Sequence, residues 1–391
     1  MREHLQTRLF QTTADLAAYR EAWRALASDA PMRSPEWLLA WWDHFAMPGD
    51  QLHMILVFDS EENLVGLAPL YQQDTRNNKM LQALGARDHC SHHVNWVSAA
   101  GWESPVGTAV ARHLLQCPRS WDQLLLEAVD ADALAIQATM DHLTRHGCLG
   151  HRRQINSCWA IRLPDSWEDY LQKLSRSLRK RCRKLQRQFF DSGQIRIRQV
   201  EEEDDLEEGF NVLLKLHAAR WRGTGQPLGV FSDPAFRSFH ETVARSFLAD
   251  RKLRLAWLEC EGEPIAVEYQ FFDTETVYAY QAGLDLARNA YSPGKLSMIA
   301  AIRFAIDKGC KTFDLLGGDE PYKMHWRAEP KACYDLRIWR CSLRGYSEWA
   351  VWHLYTRLAG GLKRLLPKRL ADHLAKGLPR RRKGGQPNPD S

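Results

Sequence analysis

Residues 276–327 read TVYAYQAGLDLARNAYSPGKLSMIAAIRFAIDKGCKTFDLLGGDEPYKMHWR, and the reading of this stretch decides the fold. Val277 to Gly283 mixes β-branched and aromatic residues with small ones, which predicts a strand. Lys295 to Lys308 sets Leu296, Ile299, Ala300, Phe304 and Ile306 at roughly helical spacing, and Lys311 to Leu316 fits a short buried strand. Between the first strand and the helix lies the turn Ser292-Pro293-Gly294-Lys295-Leu296. Gly294 removes a side chain that would block a ligand, and the first backbone N–H groups of the helix point outward. Such an end attracts phosphate, and Lys295 adds a point charge.

Three runs of this stretch carry a family resemblance: YxYQxGxD from Tyr278 to Asp285, SPGKL from Ser292 to Leu296, and FDLLGGDExYKxxW from Phe313 to Trp326. Together they resemble the CelD-like branch of the GNAT acyltransferases, a branch associated with polysaccharide synthesis and related to the tandem-domain Fem-type aminoacyltransferases. LHAARW at 216–221 and SPEWLLAWWDHF at 34–45 share the resemblance, so it covers most of the chain. It implies an α+β fold of tandem GNAT-like domains, each a mixed central sheet flanked by helices. It also implies acetyl-CoA or another acyl-CoA as co-substrate, held at Ser292, Pro293, Gly294, Lys295 and Leu296. One departure stands out: the usual GNAT phosphate loop is richer in glycine and opens with Gln or Arg, whereas only Gly294 remains here.

Two other motifs are set aside. Gly317-Gly318-Asp319-Glu320 imitates a cyclic-dinucleotide synthase signature but runs into Pro321 without that family's nucleotide-binding context. Gly294-Lys295 is followed by Leu296, so the Ser or Thr of a Walker loop is missing.

At 391 residues, with 45% hydrophobic content and 15 Trp, the chain can bury two cores. No run of 18 apolar residues occurs, and MREHLQTRLFQTT at the start lacks the apolar segment of a signal peptide, so a cytoplasmic protein is expected. The nine cysteines are scattered without a CxxC pair, which points to reduced, mostly buried thiols. A net charge of +5 does not by itself call for nucleic acid.

Along the chain, a helix is expected near Ala14 to Ala27, then Trp37, Trp41, Trp42 and Phe45 on one helical face as core. His53 to Phe58 and Leu64 to Leu70 form a hairpin across Asp59 to Asn63. Asp88-His89-Cys90-Ser91-His92-His93 is the densest cluster of metal-ligand types, but it lacks a second ligand pair and is read as a polar loop without metal. Trp121 to Val129 is a strand and Ala131 to His146 a helix; these complete a degenerate first GNAT-like domain, 1–158. The acyltransferase domain is placed at 159–345, amphipathic helices at 346–378 and a disordered tail at 379–391.

After a strand at Trp159 to Leu163, Ser166 and Asp169 form a capping box for one long helix. Its surface carries Lys173, Arg176, Arg179, Lys180, Arg181, Arg183, Lys184 and Arg187 with no acid between Tyr170 and Phe190. An anion is therefore wanted nearby: the run Glu201 to Glu208, a phosphorylated substrate, or RNA such as tRNA. Phe210 to Trp221 and Pro234 to Leu248 are helices, separated by the glycine-rich loop Gly223 to Pro227, which has the character of a substrate cover. Leu253 to Cys260 and Pro264 to Phe272 are strands, Cys333 to Leu343 is a closing strand, and Tyr346 to Leu374 is helical with breaks at Gly360-Gly361 and Pro367. The basic, amphipathic character of this last helix fits either packing on the protein or peripheral contact with an anionic membrane.

For chemistry, acyl transfer to an amine or hydroxyl needs a base near the strand opening, and Glu268, Asp285 and Asp319 are the candidates. A backbone N–H of Tyr278 to Gln281 is the candidate oxyanion donor. Lys323 and Tyr322 would hold an acceptor carboxylate or phosphate, and Arg220 and Trp221 would contact a sugar. The mouth is expected at Tyr280, Gln281, Asp319 and Lys323, where polar groups crowd two apolar strands. The rival functions are an aminoacyl-tRNA-dependent transferase of the Fem type and a noncatalytic binding component of a polysaccharide assembly machine.

Overall fold

The computed structural model describes residues 5–75, 78–86, 91–221 and 229–365. In chain order the elements are β1 (Gln6–Phe10), α1 (Arg20–Leu26), α2 (Pro35–Phe45), β2 (Gln51–Phe58), β3 (Leu64–Thr75), β4 (Asn78–Ala83), β5 (Val97–Ser98), α3 (Glu103–Gln116), β6 (Gln123–Asp130), α4 (Leu134–Arg145) and β7 (Leu149–Arg162). They continue with α5 (Trp167–Lys173), α6 (Arg176–Leu185), β8 (Ile195–Gln199), α7 (Leu206–Trp221), α8 (Pro234–Ala249), β9 (Leu253–Cys260), β10 (Glu263–Phe272), β11 (Thr276–Leu284), α9 (Pro293–Asp307), β12 (Thr312–Gly317), α10 (Tyr322–His325), β13 (Glu329–Trp339) and α11 (Leu343–Leu365). Two compact units interleave in sequence: of the described residues, those of 5–22, 47–154 and 334–365 form one, and those of 23–46 and 155–333 form the other.

In the first unit the strands run β1-β2-β3-β4-β6-β13, with β4 and β6 parallel. The expected hairpin is present, its turn closed by Asp59 Oδ1 accepting from the N–H groups of Glu61 and Asn63. Helices α3 and α4 cross so closely that a Cβ on Gly107 would lie 2.0 Å from the Ala135 carbonyl oxygen, which only glycine allows. Helix α11 runs without interruption through Gly360-Gly361, where a break was expected; Trp352 anchors it against Trp339 and His151.

In the second unit the strand order is β7-β12-β11-β10-β9-β8, a mixed sheet in which β11 and β12 are parallel and their other neighbours antiparallel. Helices α5, α6 and α9 cover one face, where Leu171, Cys182, Leu185 and Phe189 meet Ile299, Ile302 and Phe313 in one buried cluster. Helices α2, α7 and α8 cover the other: Trp37 of α2 packs on Phe239, Phe271 and Tyr280, and a Cβ on Gly283 would strike the backbone of α7 at His217. The aromatic stripe of 34–45 is thus core, as its spacing indicates, but the core is that of the second unit. The long helix expected from Ser166 is two. Leu174 is extended and Ser175 starts afresh, its Oγ accepting from the Leu178 N–H. Among the described residues no helix is long and apolar enough to cross a membrane. Asp88, His89, Cys90, the loop 223–227 and everything after 365 lie outside the described residues.

Candidate active site

The parallel pair at the centre of the second unit is joined over three registers only, Thr276 with Thr312, Val277 with Phe313 and Tyr278 with Asp314. Beyond them each strand continues but not beside the other. On β11, Tyr269 of β10 faces Gln281 and Gln270 faces Ala279, so Tyr280 is an extra, bulged residue. The bulge inverts the side-chain alternation: Ala279 and Leu284, five apart, both pack in the α9-side cluster, whereas Tyr280 and Gly283 face the opposite helices. At the same level β12 breaks register with β7 between Asp314 and Gly317, and Leu316 takes a left-handed φ of 56°, its N–H held by Asp314 Oδ1 at 2.7 Å. Irregularity on both strands parts them, and among the described residues the β12-facing edge of β11, from Ala279 to Leu284, pairs with no strand; this gap is the candidate cleft.

The start of α9 flanks this cleft. Ser292 is its N-cap at φ 59°, a left-handed conformation, and Pro293 opens the helix with no N–H to offer. The N–H groups of Lys295 and Leu296 both turn to the Ser292 carbonyl, at 3.0 and 3.1 Å, so Gly294 supplies the one first-turn amide without a partner among the described residues. A Cβ on Gly294 would meet only Leu284 Cδ1, at 3.4 Å, so the protein's own packing does not demand glycine there. Positive charge arrives from a neighbour that the sequence did not single out: Arg181 of α6 donates to Ser292 Oγ at 2.7 Å. Lys295 of α9 lies close enough to Cys182 of α6 to oppose the burial that pushes that thiol up to about 11.

The acids expected as bases have distinct fates. Glu268 lies buried beneath α9, accepting from Ser297 Oγ at 2.5 Å and from Gln270 Nε2 at 3.4 Å. Gln270 in turn accepts from Arg254, whose guanidinium is fully enclosed over the Phe304 ring and is lowered by burial to about 10, with Glu268 opposing the shift. Glu268 therefore compensates a buried cation in the core. Asp285 is a cap: its Oδ1 accepts from the Ala287 N–H and its Oδ2 lies 3.7 Å from Arg288. Asp319 stays exposed at the end of β12. Its Oδ1 accepts from the Ser157 N–H at 3.2 Å and the Trp159 indole at 3.0 Å, and Oδ2 has no partner among the described residues.

Lys323 was expected to reach out to an acceptor, and its placement corrects this. The residue is 1% exposed, and Nζ donates to the carbonyls of Leu316, Gly317 and Gly318 at 3.2, 3.0 and 3.0 Å while lying 3.0 Å from Glu320. It is a buried ammonium that ties the end of β12 into a ring. Tyr322 beside it packs partly on the α9-side cluster. Tyr280 is buried among Trp37, His240 and Phe271, and Gln281 is half-buried on β11. Arg220 and Trp221 end α7, the helix that touches Gly283; their side chains lie outside the described residues. Tyr280 and Gln281 thus lie on β11 where the strands part, Asp319 just beyond β12 and the 292–296 turn at the start of α9, whereas Glu268, Asp285 and the Lys323 ammonium are each engaged by groups of the protein itself. In the first unit, His93 bonds Asp130 through Nδ1 at 2.8 Å.

Residues 176–324 match the acetyltransferase (GNAT) domain. The match runs from the first residue of α6 to α10, so it takes in the basic helix, the cleft and the Lys323 ring. Among solved structures, FemX superposes with a TM-score of 0.58 at 11% identity, covering 84% of this chain and 96% of that one. A conserved protein of unknown function from Bacteroides thetaiotaomicron VPI-5482 reaches 0.53 at 10% identity over 86% and 100%. The C-terminal domain (DUF2156) of a candidate lysylphosphatidylglycerol synthetase from Agrobacterium fabrum reaches 0.52 at 9% over 86% and 95%. At such identities the likeness is one of fold, and its extent exceeds either unit alone, so both units share it. No curated protein matches the chain.

Proposed function

We propose that the second unit is an acyl-CoA-dependent acyltransferase acting on an amine or hydroxyl, with the first unit a GNAT-like domain that lacks a phosphate turn. The observation that carries this is the parting of β11 and β12 at the Tyr280 bulge, directly before the start of α9. An unpartnered strand edge offers alternating N–H and C=O groups at 279–284, and an extended donor arm with amide groups can pair with them as a strand would. The adjoining turn fits the donor's charged end: Gly294 N–H, Lys295 and Arg181 all converge there. When bound, the thioester supplies the acyl group that the acceptor attacks.

The chain's own part is to align that attack and take the acceptor's proton. Asp319 is the carboxylate best placed for it, because Ser157 and Trp159 fix one oxygen and leave the other exposed at the β12 lip. The Lys323 ring holds that lip in place. Amides of β11 near Gln281 are the candidate oxyanion donors. The acceptor class, a sugar or sugar-linked precursor, rests on the resemblance of the FDLLGGDExYKxxW run. The Fem-type alternative, with an RNA-borne donor, draws support from the basic face of α6 and uses the same cleft.

The test is thiol release from acetyl-CoA in the presence of amino sugars, nucleotide sugars and simple amines. Acceptor-dependent release with a matching acyl adduct by mass spectrometry supports the reading. Transfer from aminoacyl-tRNA with none from acyl-CoA would replace it by the Fem-type one, and absence of both would favour a noncatalytic component.

A further inference from the structure

Between Arg176 and Arg187 the chain carries seven cations and no acid. Three i,i+4 pairs within α6 are of like charge: Arg176 with Lys180, Arg179 with Arg183, and Lys180 with Lys184. Each such pair disfavours the helix by about 0.2–0.5 kcal/mol. The rest of the unit does little to relieve this. Arg183 pairs with Glu168 and Arg179 bonds the Gln172 amide oxygen, whereas Arg176, Lys180, Lys184 and Arg187 have no carboxylate partner among the described residues. The acidic run expected as a partner is engaged elsewhere: Glu208 pairs with Arg198, Glu203 with Arg245, and Asp205 accepts from the N–H groups of Glu201 and Glu202. The basic face is therefore not a solvated counterpart of Glu201 to Glu208.

Its position indicates what it serves. Arg181, in the middle of the run, is bonded to the N-cap of α9, and Lys184 stands one turn further along the same flank. The turn itself has lost most of its amide donors, through Pro293 and the two N–H groups turned back to Ser292. Cations from a second helix take the place of amides that a glycine-rich loop would supply.

We propose that α6 is the recognition element for the phosphate groups at the nucleotide end of the acyl donor, with Arg181 and Lys184 reading the 3′-phosphate and diphosphate of CoA. This rests on the acyl-CoA reading above. Full-length protein is titrated by calorimetry with CoA, dephospho-CoA and pantetheine, at roughly 50 and 200 mM salt. CoA binds at least about tenfold more tightly than dephospho-CoA, with the difference shrinking at high salt. The double variant Arg181→Glu/Lys184→Glu weakens CoA by about tenfold or more and erases the preference. Lys308→Glu, at the far end of α9, changes the affinity by less than about twofold. If charge reversal unfolds the protein by circular dichroism, the neutral pair Arg181→Gln/Lys184→Gln replaces it with the same direction expected. Equal binding of CoA and dephospho-CoA, or variants that bind CoA as the parent does, would overturn the inference and leave the acyl-CoA reading standing. A parent that binds neither nucleotide would overturn that reading as well. Binding of a stem-loop RNA through the same cations, uncontested by CoA, would overturn the assignment of α6 to the donor.

Discussion

Replacing Gly294 by Ala separates a glycine kept for packing from one kept for a ligand. The new Cβ meets Leu284 Cδ1 at 3.4 Å, an ordinary contact, and the position is the second residue of a 15-residue helix. Relieving the backbone entropy of glycine in a helix is worth up to about 1 kcal/mol, less near an end, so Gly294→Ala is expected to stabilise by about 0.3–1 kcal/mol. For a protein of this size that is a rise in Tm of about 0.4–1.2 °C. Binding moves the other way: a methyl group between the helix start and a phosphate lengthens the approach and screens the Gly294 amide. A tenfold loss of CoA affinity corresponds to about 1.4 kcal/mol, and at least that is expected. The assay pairs thermal unfolding with calorimetric titration of CoA on the same preparation. A lower Tm would mean that packing requires the glycine, and an unchanged CoA affinity would mean that no phosphate approaches this turn. Either result refutes the reasoning.

Glu268→Gln leaves the Arg254 charge buried without its compensating carboxylate and is expected to cost about 3 kcal/mol, while Arg254→Met in the same protein recovers much of it; urea unfolding of the four-member cycle measures the coupling. Lys323→Met strips the ammonium from three carbonyls and from Glu320, and a loss of about 3 kcal/mol by urea unfolding is expected, in place of the clean loss of turnover that an exposed lysine would give. Asp319→Asn keeps volume and hydrogen bonds to one oxygen, so it is expected to lower kcat by about 10²-fold or more with the CoA affinity unchanged; full acyl transfer by the variant would take the base away from this residue. In the first unit, His53 is pushed down to about 4 by burial and by His113, so it stays neutral in the fold while the unfolded chain binds a proton from about pH 6.5 downward. Stability contributed by the neutral ring is intact above pH 6.5 and is lost between there and about pH 4, by up to about 3 kcal/mol; His53→Leu is expected to flatten that part of the unfolding profile.

The stretch from Thr276 to Gly317 was legible because its periods differ sharply: alternation, then helical spacing, then an unbroken apolar run, each found within two or three residues of its expected bounds. The same local logic failed where tertiary contacts decide. Leu174 and Ser175 continue a helical apolar pattern, so the sequence conceals the cap that splits α5 from α6. Chain order could not show that α2 packs with the second unit, since Trp37 and Trp41 make an apolar face that fits any core. The site residues divide in the same way. Two-residue alternation says that Glu268 and Gln270 share a face, but not that α9 covers it or that Arg254 stands beside them. Lys323 lies beyond a strand end and looks exposed in sequence; its burial depends on three carbonyls turning inward through the left-handed Leu316 and Gly318. Arg181 carried no mark that distinguished it from the other cations of its run, because its partner Ser292 is distant in the chain.

The most direct test of the central claim, that the opening between β11 and β12 holds an acyl-CoA, is hydrogen exchange of the full-length protein with and without CoA, read by mass spectrometry. The account predicts added protection in peptides covering 279–284 and 292–296, where a donor arm would pair with the unpartnered strand edge and its phosphates would meet the start of α9. It predicts none in β2 or β3 of the first unit. Protection confined to other segments, or no change at saturating CoA, would contradict it.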